Sequence, residues 1–299
     1  MHARRGAAIV MPALYISDLD GTLLRNDARL SDYSRAALRE LLGDGVPFSV
    51  ASARSVASMR PILRGLRLEL PVVALNGAFL SDLESGRHEI VNSIERDVAE
   101  DLYRAILSFE CVPLLATFDG KAECLYHQEA ANEGMRWFLD DRIVNRDERL
   151  RRAENLADAL AEQVVCMTVI GLAAQLTEID AALRERHGPM IETHFFENSY
   201  SPGWHWLTVH DRRATKAEGV RTLVERFGLA GKELVVFGDH VNDVKLFEIA
   251  AHAVAVSNAE ETVKRIATRV IGSNEEDSVV NFIRDDWRSR KAGSRKTGF

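Results

Sequence analysis

The sequence predicts an α/β protein, with a doubly wound parallel-sheet core interrupted by an inserted α/β domain. Three observations carry this expectation. Toward both ends of the chain, short continuously apolar runs alternate with helical stretches, the pattern of buried parallel strands joined by crossover helices. In the middle, the alternation gives way to hairpin signals mixed with helices. Finally, Asp18 and Asp20 follow the first apolar run and precede Gly21. Strand side chains alternate, so two acids two residues apart point the same way. Open α/β sheets bind ligands outside the carboxyl ends of their strands.

The first strand covers residues 13–16. Ser31 caps a helix over 32–42 that ends at Gly43, with Ala37, Leu38, Leu41 and Leu42 on one face. A second strand at 47–51 runs into Ser52-Ala53-Arg54-Ser55, and a helix follows over 56–63. A third strand at 71–75 ends at Asn76-Gly77. Right-handed crossovers then imply a parallel sheet.

From here the pattern changes. Residues 79–82 and 88–91 flank a turn at 84–87, and a helix follows over 95–109. Residues 114–118 and 121–126 flank Asp119-Gly120, a strong hairpin signal. Helical stretches near 129–139 and 153–163, a strand at 164–170, a helix at 173–186 and a strand at 190–196 complete this part. It reads as an inserted domain over residues 83–197, an antiparallel sheet covered on one face, leaving a core of 1–82 and 198–299. The parallel pattern resumes at 206–209. It continues with a helix at 215–227 closed by Gly228, strands at 233–237 and 252–256, and helices at 241–250, 259–268 and 276–285. Residues 287–299 hold five basic residues and no acid, and read as a disordered tail.

Composition narrows the function classes. The 299 residues are 46% hydrophobic and 28% charged, with a net charge of −7. That balance gives no electrostatic case for nucleic acid or an anionic membrane as partner. Cys111, Cys124 and Cys166 are widely spaced and form no zinc or disulfide pattern, which fits a reducing cytoplasm. The apolar run at 7–11 is too short for a signal peptide and ends at Pro12.

A second acidic cluster sits at the end of the 233–237 strand, in Gly238-Asp239-His240-Val241-Asn242-Asp243. Asp239 and Asp243 are four apart at a helix start and lie on adjacent turns. With Asp18 they form a hard, all-oxygen donor set suited to Mg²⁺. Acids also favour helix N-termini on electrostatic grounds alone.

Asp18-Leu19-Asp20-Gly21-Thr22-Leu23-Leu24 resembles the first motif of the haloacid dehalogenase superfamily, and residues 238–243 resemble its fourth. The resemblance implies that Asp18 is a nucleophile and Asp20 a general acid/base. The second Asp is typical of the phosphoryl-transfer branch and is missing from dehalogenases. The superfamily's ion pumps are excluded, because no apolar run reaches the ~20 residues of a membrane span. By the same resemblance, Asp18, Asp239 and the backbone carbonyl of Asp20 bind Mg²⁺. Asp243 supports a metal-bound water, and Asn242 touches the phosphoryl group.

Ser52 resembles the phosphate-binding hydroxyl of the second motif, with Ala53 where relatives carry Gly. Arg54 either contacts phosphate or pairs with an acid. Lys216, at a helix start in Thr215-Lys216-Ala217, resembles the third motif's lysine, with Arg212 and Arg213 as rivals on the preceding loop. Asn76-Gly77 and Ser257-Asn258 resemble signatures of the Cof-type branch. The order of the motifs around the insertion implies a Rossmann-like core with an α/β cap that sets specificity. The implied activity is Mg²⁺-dependent hydrolysis of small phosphate esters such as sugar phosphates through an aspartyl-phosphate. A phosphomutase, or a non-catalytic binding protein on the same fold, is the alternative.

Overall fold

In this computed structural model the described residues are 12–198 and 201–297, with side chains to residue 293. The 1–11 segment, read above as too short for a signal peptide, lies outside them. In chain order the elements are β1 (Ala13–Ser17), α1 (Asp32–Gly43), β2 (Phe48–Val50), α2 (Val56–Ile62), β3 (Val72–Ala74), β4 (Phe79–Ser81) and β5 (His88–Val91). Next come α3 (Arg96–Ser108), β6 (Leu114–Phe118), β7 (Glu123–His127), α4 (Glu133–Val144), β8 (Leu150–Arg152), β9 (Gln163–Gly171), α5 (Ala173–His187), β10 (Ile191–Glu197) and β11 (His205–Asp211). The chain closes with α6 (Lys216–Arg226), β12 (Glu233–Gly238), α7 (Val244–Ile249), β13 (His252–Ala255), α8 (Glu261–Ile266), β14 (Arg269–Val270) and α9 (Ser278–Thr297).

The chain divides into two units, residues 1–89 with 216–299, and residues 90–215. The first is built on a parallel sheet in the order β14-β13-β12-β1-β2, with all neighbouring pairs parallel. A bridge between Ala51 and Val73 continues the parallel pairing toward β3. The chain builds outward from β1 in one direction, then returns to build β12, β13 and β14 on the other side. The order therefore reverses between β1 and β12, where open α/β sheets form their ligand crevice. Ala13, Leu14, Tyr15, Ile16 and Ser17 are all buried, as a strand covered on both faces requires.

The second unit holds a mixed sheet in the order β10-β11-β9-β6-β7-β8. Its pairs are antiparallel except the parallel β7/β8 edge. Leu102 and Ile106 of α3 and Leu176, Ile179 and Leu183 of α5 pack with Leu115, Met167, Val169, Leu207 and Val209 on one face. Met135, Phe138 and Leu139 of α4 pack with Leu114, Leu125, Ile170 and Trp206 on the other. Helices thus lie on both faces, where the sequence predicted cover on one. No helix among the described residues is long and apolar enough to cross a membrane.

Two differences from the sequence expectation change where a segment is placed. Residues 206–209, expected in the parallel core sheet, lie in β11 between β9 and β10 of the mixed sheet. Trp206 is buried on one face of β11 and Leu207 and Val209 on the other, so the apolar residues of 206–209 record burial without revealing which sheet provides it. The predicted basic tail is helical: α9 runs to Thr297. One pair within the helix and two contacts to the core sheet hold it there. Arg290 pairs with Asp286 at 2.7 Å and with Glu233 at 2.7 Å, and the Tyr15 hydroxyl donates to Asp286 at 2.7 Å. Residues 298–299 of that predicted tail lie outside the described residues.

His210 of β11 makes the stability of the second unit acid-sensitive. Its ring is buried, with Nδ1 against the Val165 carbonyl at 3.2 Å. Burial, reinforced by His194, lowers its pKa to about 3. The unfolded chain takes up this proton near pH ~6.5 while the folded chain resists it, so stability is present above that pH and lost as pH falls toward 3. The limiting slope is ~1.4 kcal/mol per pH unit. Urea midpoints measured between pH 7 and 5 should fall with pH, and His210→Phe should flatten the trend by close to one proton. An unchanged slope in the variant would remove His210 from this account.

Candidate active site

Every candidate site residue in the first unit hangs from the carboxyl end of a parallel strand or from the start of α6. Asp18 directly follows β1, and its amide donates to the Phe237 carbonyl of β12 at 3.0 Å. The chain then makes a wide turn, closed by the Leu24 amide donating to the Leu19 carbonyl at 2.8 Å. Gly21 sits there at φ +71°, and a Cβ on it would lie 2.3 Å from Asp239 Oδ2. Glycine is needed on both counts, for the left-handed backbone and for the close approach. On the facing loop, a Cβ at Gly238 would lie 2.6 Å from the Asp243 carboxyl carbon.

Lys216, the first residue of α6, is 1% exposed. Its Nζ donates to Asp18 Oδ1 at 2.9 Å and to Asp243 Oδ1 at 2.8 Å. The other oxygen of Asp243 accepts the Asp239 and His240 amides at 3.1 and 3.2 Å. Asp18, Asp239 and Asp243 each offer an oxygen within 4.8 Å of the other two. Burial raises the pKa of Asp18 well above the carboxylate range; Lys216 opposes this, and Asp243 and Asp239 add repulsion. Burial likewise lifts Asp239 to about 7, against the hydrogen bond from Thr22. For Lys216, burial works against the charge, but Asp18 and Asp243 outweigh it and hold the ammonium above its ordinary value. Three carboxyl groups stand around one ammonium, so their full ionisation would leave an excess of negative charge. An all-oxygen set carrying that excess fits a hard divalent cation.

The β2 and β3 loops complete the site. Ser52 is buried, and its Oγ accepts the Arg54 amide at 3.2 Å, so its hydroxyl proton remains a donor. Ala53 is exposed. Arg54 grips Asp20 through both oxygens, Nε to Oδ2 at 2.7 Å and Nη2 to Oδ1 at 2.6 Å. Of the two readings left open by the sequence, this structure places Arg54 against an acid. The Asn76 amide donates to the Ser52 carbonyl at 3.0 Å, and Gly77 follows in the same turn. Asn242 Nδ2 donates to Asn76 Oδ1 at 3.2 Å, and Asn242 Oδ1 is buried with no partner among the described residues. Of the rivals to Lys216, Arg213 pairs with Asp211 at 2.6 Å in the second unit.

Two acidic loops thus lie at the sheet's switch point with a buried lysine between them. The sequence profile of the haloacid dehalogenase-like hydrolases matches residues 15–283. The chain belongs to this family. The Cof-type branch read from the motifs is borne out with it.

Among curated proteins, this hydrolase is 26% identical over 277 residues to the 5-amino-6-(5-phospho-D-ribitylamino)uracil phosphatase YitU of Bacillus subtilis, covering 92% of this chain and 97% of that one. It is 28% identical to the pyridoxal phosphate phosphatase YbhA of Escherichia coli, covering 89% and 95%. A solved structure from Thermotoga maritima superposes with a TM-score of 0.74 at 28% identity, covering 92% of this chain and 97% of that one.

Two residues of the hydrolase's site escaped the sequence reading. Thr22 Oγ1 donates to Asp239 Oδ1 at 2.6 Å. Thr22 lies inside the quoted first motif, but nothing local names its partner. Asn274 donates through its amide to Asn258 Oδ1 at 2.9 Å and through Nδ2 to the Leu24 carbonyl at 3.0 Å. Asn258 in turn donates to the Gly21 carbonyl at 2.7 Å. These asparagines brace the Asp18 turn from the far end of the chain, and no sequence signal marks Asn274.

Proposed function

We propose that this hydrolase is a phosphatase acting on small phosphorylated metabolites in two steps. The observation that carries the reading is the Asp18 carboxylate, held by Lys216 beside Asp239 and Asp243 at the switch point of the sheet. In the first step an oxygen of Asp18 attacks phosphorus, the bond to the leaving oxygen breaks, and Asp20 gives that oxygen a proton. In the second step Asp20 takes a proton from water, whose oxygen attacks the aspartyl-phosphate, releasing inorganic phosphate and restoring Asp18. Arg54 occupies both oxygens of Asp20 here, so proton delivery requires that pair to open. The Ser52 hydroxyl, the Lys216 ammonium, Asn242 and the Asn76-Gly77 loop would hold the phosphoryl oxygens. Asp18 and Asp239 would hold Mg²⁺, with the Asp20 carbonyl as a further oxygen and Asp243 supporting the site from behind through Lys216 and the loop amides. Once bound, it supplies positive charge against the developing charge on phosphorus-bound oxygens.

The names of the two curated relatives specify different substrates, a phosphoribityl uracil and pyridoxal phosphate. Both are phosphate monoesters of small metabolites, and this supports the same class here. The test is release of inorganic phosphate from a panel containing both compounds and common sugar phosphates, with Mg²⁺ present. Turnover of at least one supports the reading; silence across the panel and with p-nitrophenyl phosphate overturns it. The acid role of Asp20 has its own signature. Asp20→Asn should slow an alkyl phosphate ~10²–10⁴-fold, but p-nitrophenyl phosphate much less, because nitrophenolate leaves without a proton. Equal losses on both would count against that role.

A further inference from the structure

We propose that Thr22 is a positioning residue that makes Asp239 a single-oxygen ligand and biases the acidic site toward Mg²⁺ over Ca²⁺. The inference rests on the metal reading above and goes one residue beyond it. Thr22 is 1% exposed, and its only hydroxyl proton goes to Asp239 Oδ1 at 2.6 Å. Asp239 Oδ2 takes no hydrogen bond from any described residue. That oxygen lies where a Cβ on Gly21 would stand, 2.3 Å away. Gly21 gives Oδ2 its room, and Thr22 commits the other oxygen.

The three carboxylates are held differently. Asp243 is fixed by Lys216 and two backbone amides, and Asp18 by Lys216. Thr22 is the one side-chain donor to the Asp239 carboxylate among the described residues. A change at Thr22 therefore loosens one ligand and leaves the donors to the other two in place. Outer partners of this kind orient ligands and are worth ~10–100-fold in metal affinity. The direction of selectivity follows from ion size. Mg²⁺ demands near-octahedral geometry and a fixed ligand oxygen. Ca²⁺ takes 6–8 oxygens, tolerates irregular shells and accepts both oxygens of a carboxylate. A carboxylate tied at one oxygen suits the first ion, and one freed to present both suits the second.

The test uses the full chain as wild type, Thr22→Val, Thr22→Ala and Thr22→Ser. MgCl₂ and CaCl₂ are titrated calorimetrically without substrate, and thermal unfolding in EDTA checks the fold. Thr22→Val should weaken Mg²⁺ ~10–100-fold and Ca²⁺ clearly less, lowering the Mg²⁺/Ca²⁺ affinity ratio, while Thr22→Ser restores it. Thr22→Ala reads the same ratio if the valine unfolds the chain. An unchanged ratio in a folded hydroxyl-free variant, or equal weakening of both ions, overturns the role of Thr22 while leaving the metal site standing. A wild type that binds neither ion overturns the metal reading itself, and this inference with it.

Discussion

Asp18→Asn is expected to reduce phosphate release by on the order of 10³-fold or more, with the fold intact. The amide is nearly isosteric with the carboxylate but a poor nucleophile, and no other described acid lies at the end of β1 with its oxygen on Lys216. The site tolerates the lost charge. Asp18, Asp239 and Asp243 crowd around one ammonium, which contacts two of them, so removing one carboxylate relieves repulsion as well as costing an ion pair. The melting temperature in EDTA should therefore stay near wild type or rise. Phosphate release is measured on the best substrate of the panel, beside thermal unfolding. Residual activity above about a tenth of wild type would falsify Asp18 as the nucleophile.

Lys216→Met should show the opposite combination, losing both stability and rate. Its ammonium is 1% exposed and touches two carboxylates at 2.9 and 2.8 Å. Removing one partner from a buried ionic cluster strands the others in low dielectric and costs ~3–5 kcal/mol. At ~2–4 °C per kcal/mol for domains of this size, unfolding in EDTA should shift down by roughly 10 °C. Saturating Mg²⁺ should recover part of that loss, because a ligand bound only to the folded chain stabilises it by mass action. Activity should fall ~10²–10³-fold even with Mg²⁺, the scale of losing one preorganised electrostatic group. An unchanged melting temperature in EDTA would mean that the carboxylates do not depend on Lys216 for their charge balance.

The site and the fold were legible to different degrees. The first strand, its two acids and Gly21 could be read because each is a local fact. A buried strand is a run of apolar residues, a sharp turn needs glycine, and both acids must follow within a few residues. The Gly238–Asp243 loop was readable for the same reason. The place of β11 was not. Leu207 and Val209 fill one face and Trp206 the other, so its residues record burial but not which sheet provides it. The helical end of the chain was hidden for a related reason. Its basic residues read as a solvated tail until Asp286, Glu233 and Tyr15 are placed beside Arg290.

What the sequence by itself determined is therefore the alphabet of the site: carboxylates after two strands, a hydroxyl after a third, a lysine opening a helix. What only the tertiary structure decided is the pairing. Arg54 met an acid instead of open space. Thr22 met Asp239 across 217 residues of sequence. Asn274 came to brace the Asp18 turn. A residue's chemistry is carried by its own side chain and can be read in place. Its hydrogen-bond partner depends on distances of a few ångströms between loops far apart in the chain, and those distances exist only after the sheet has brought its strand ends together.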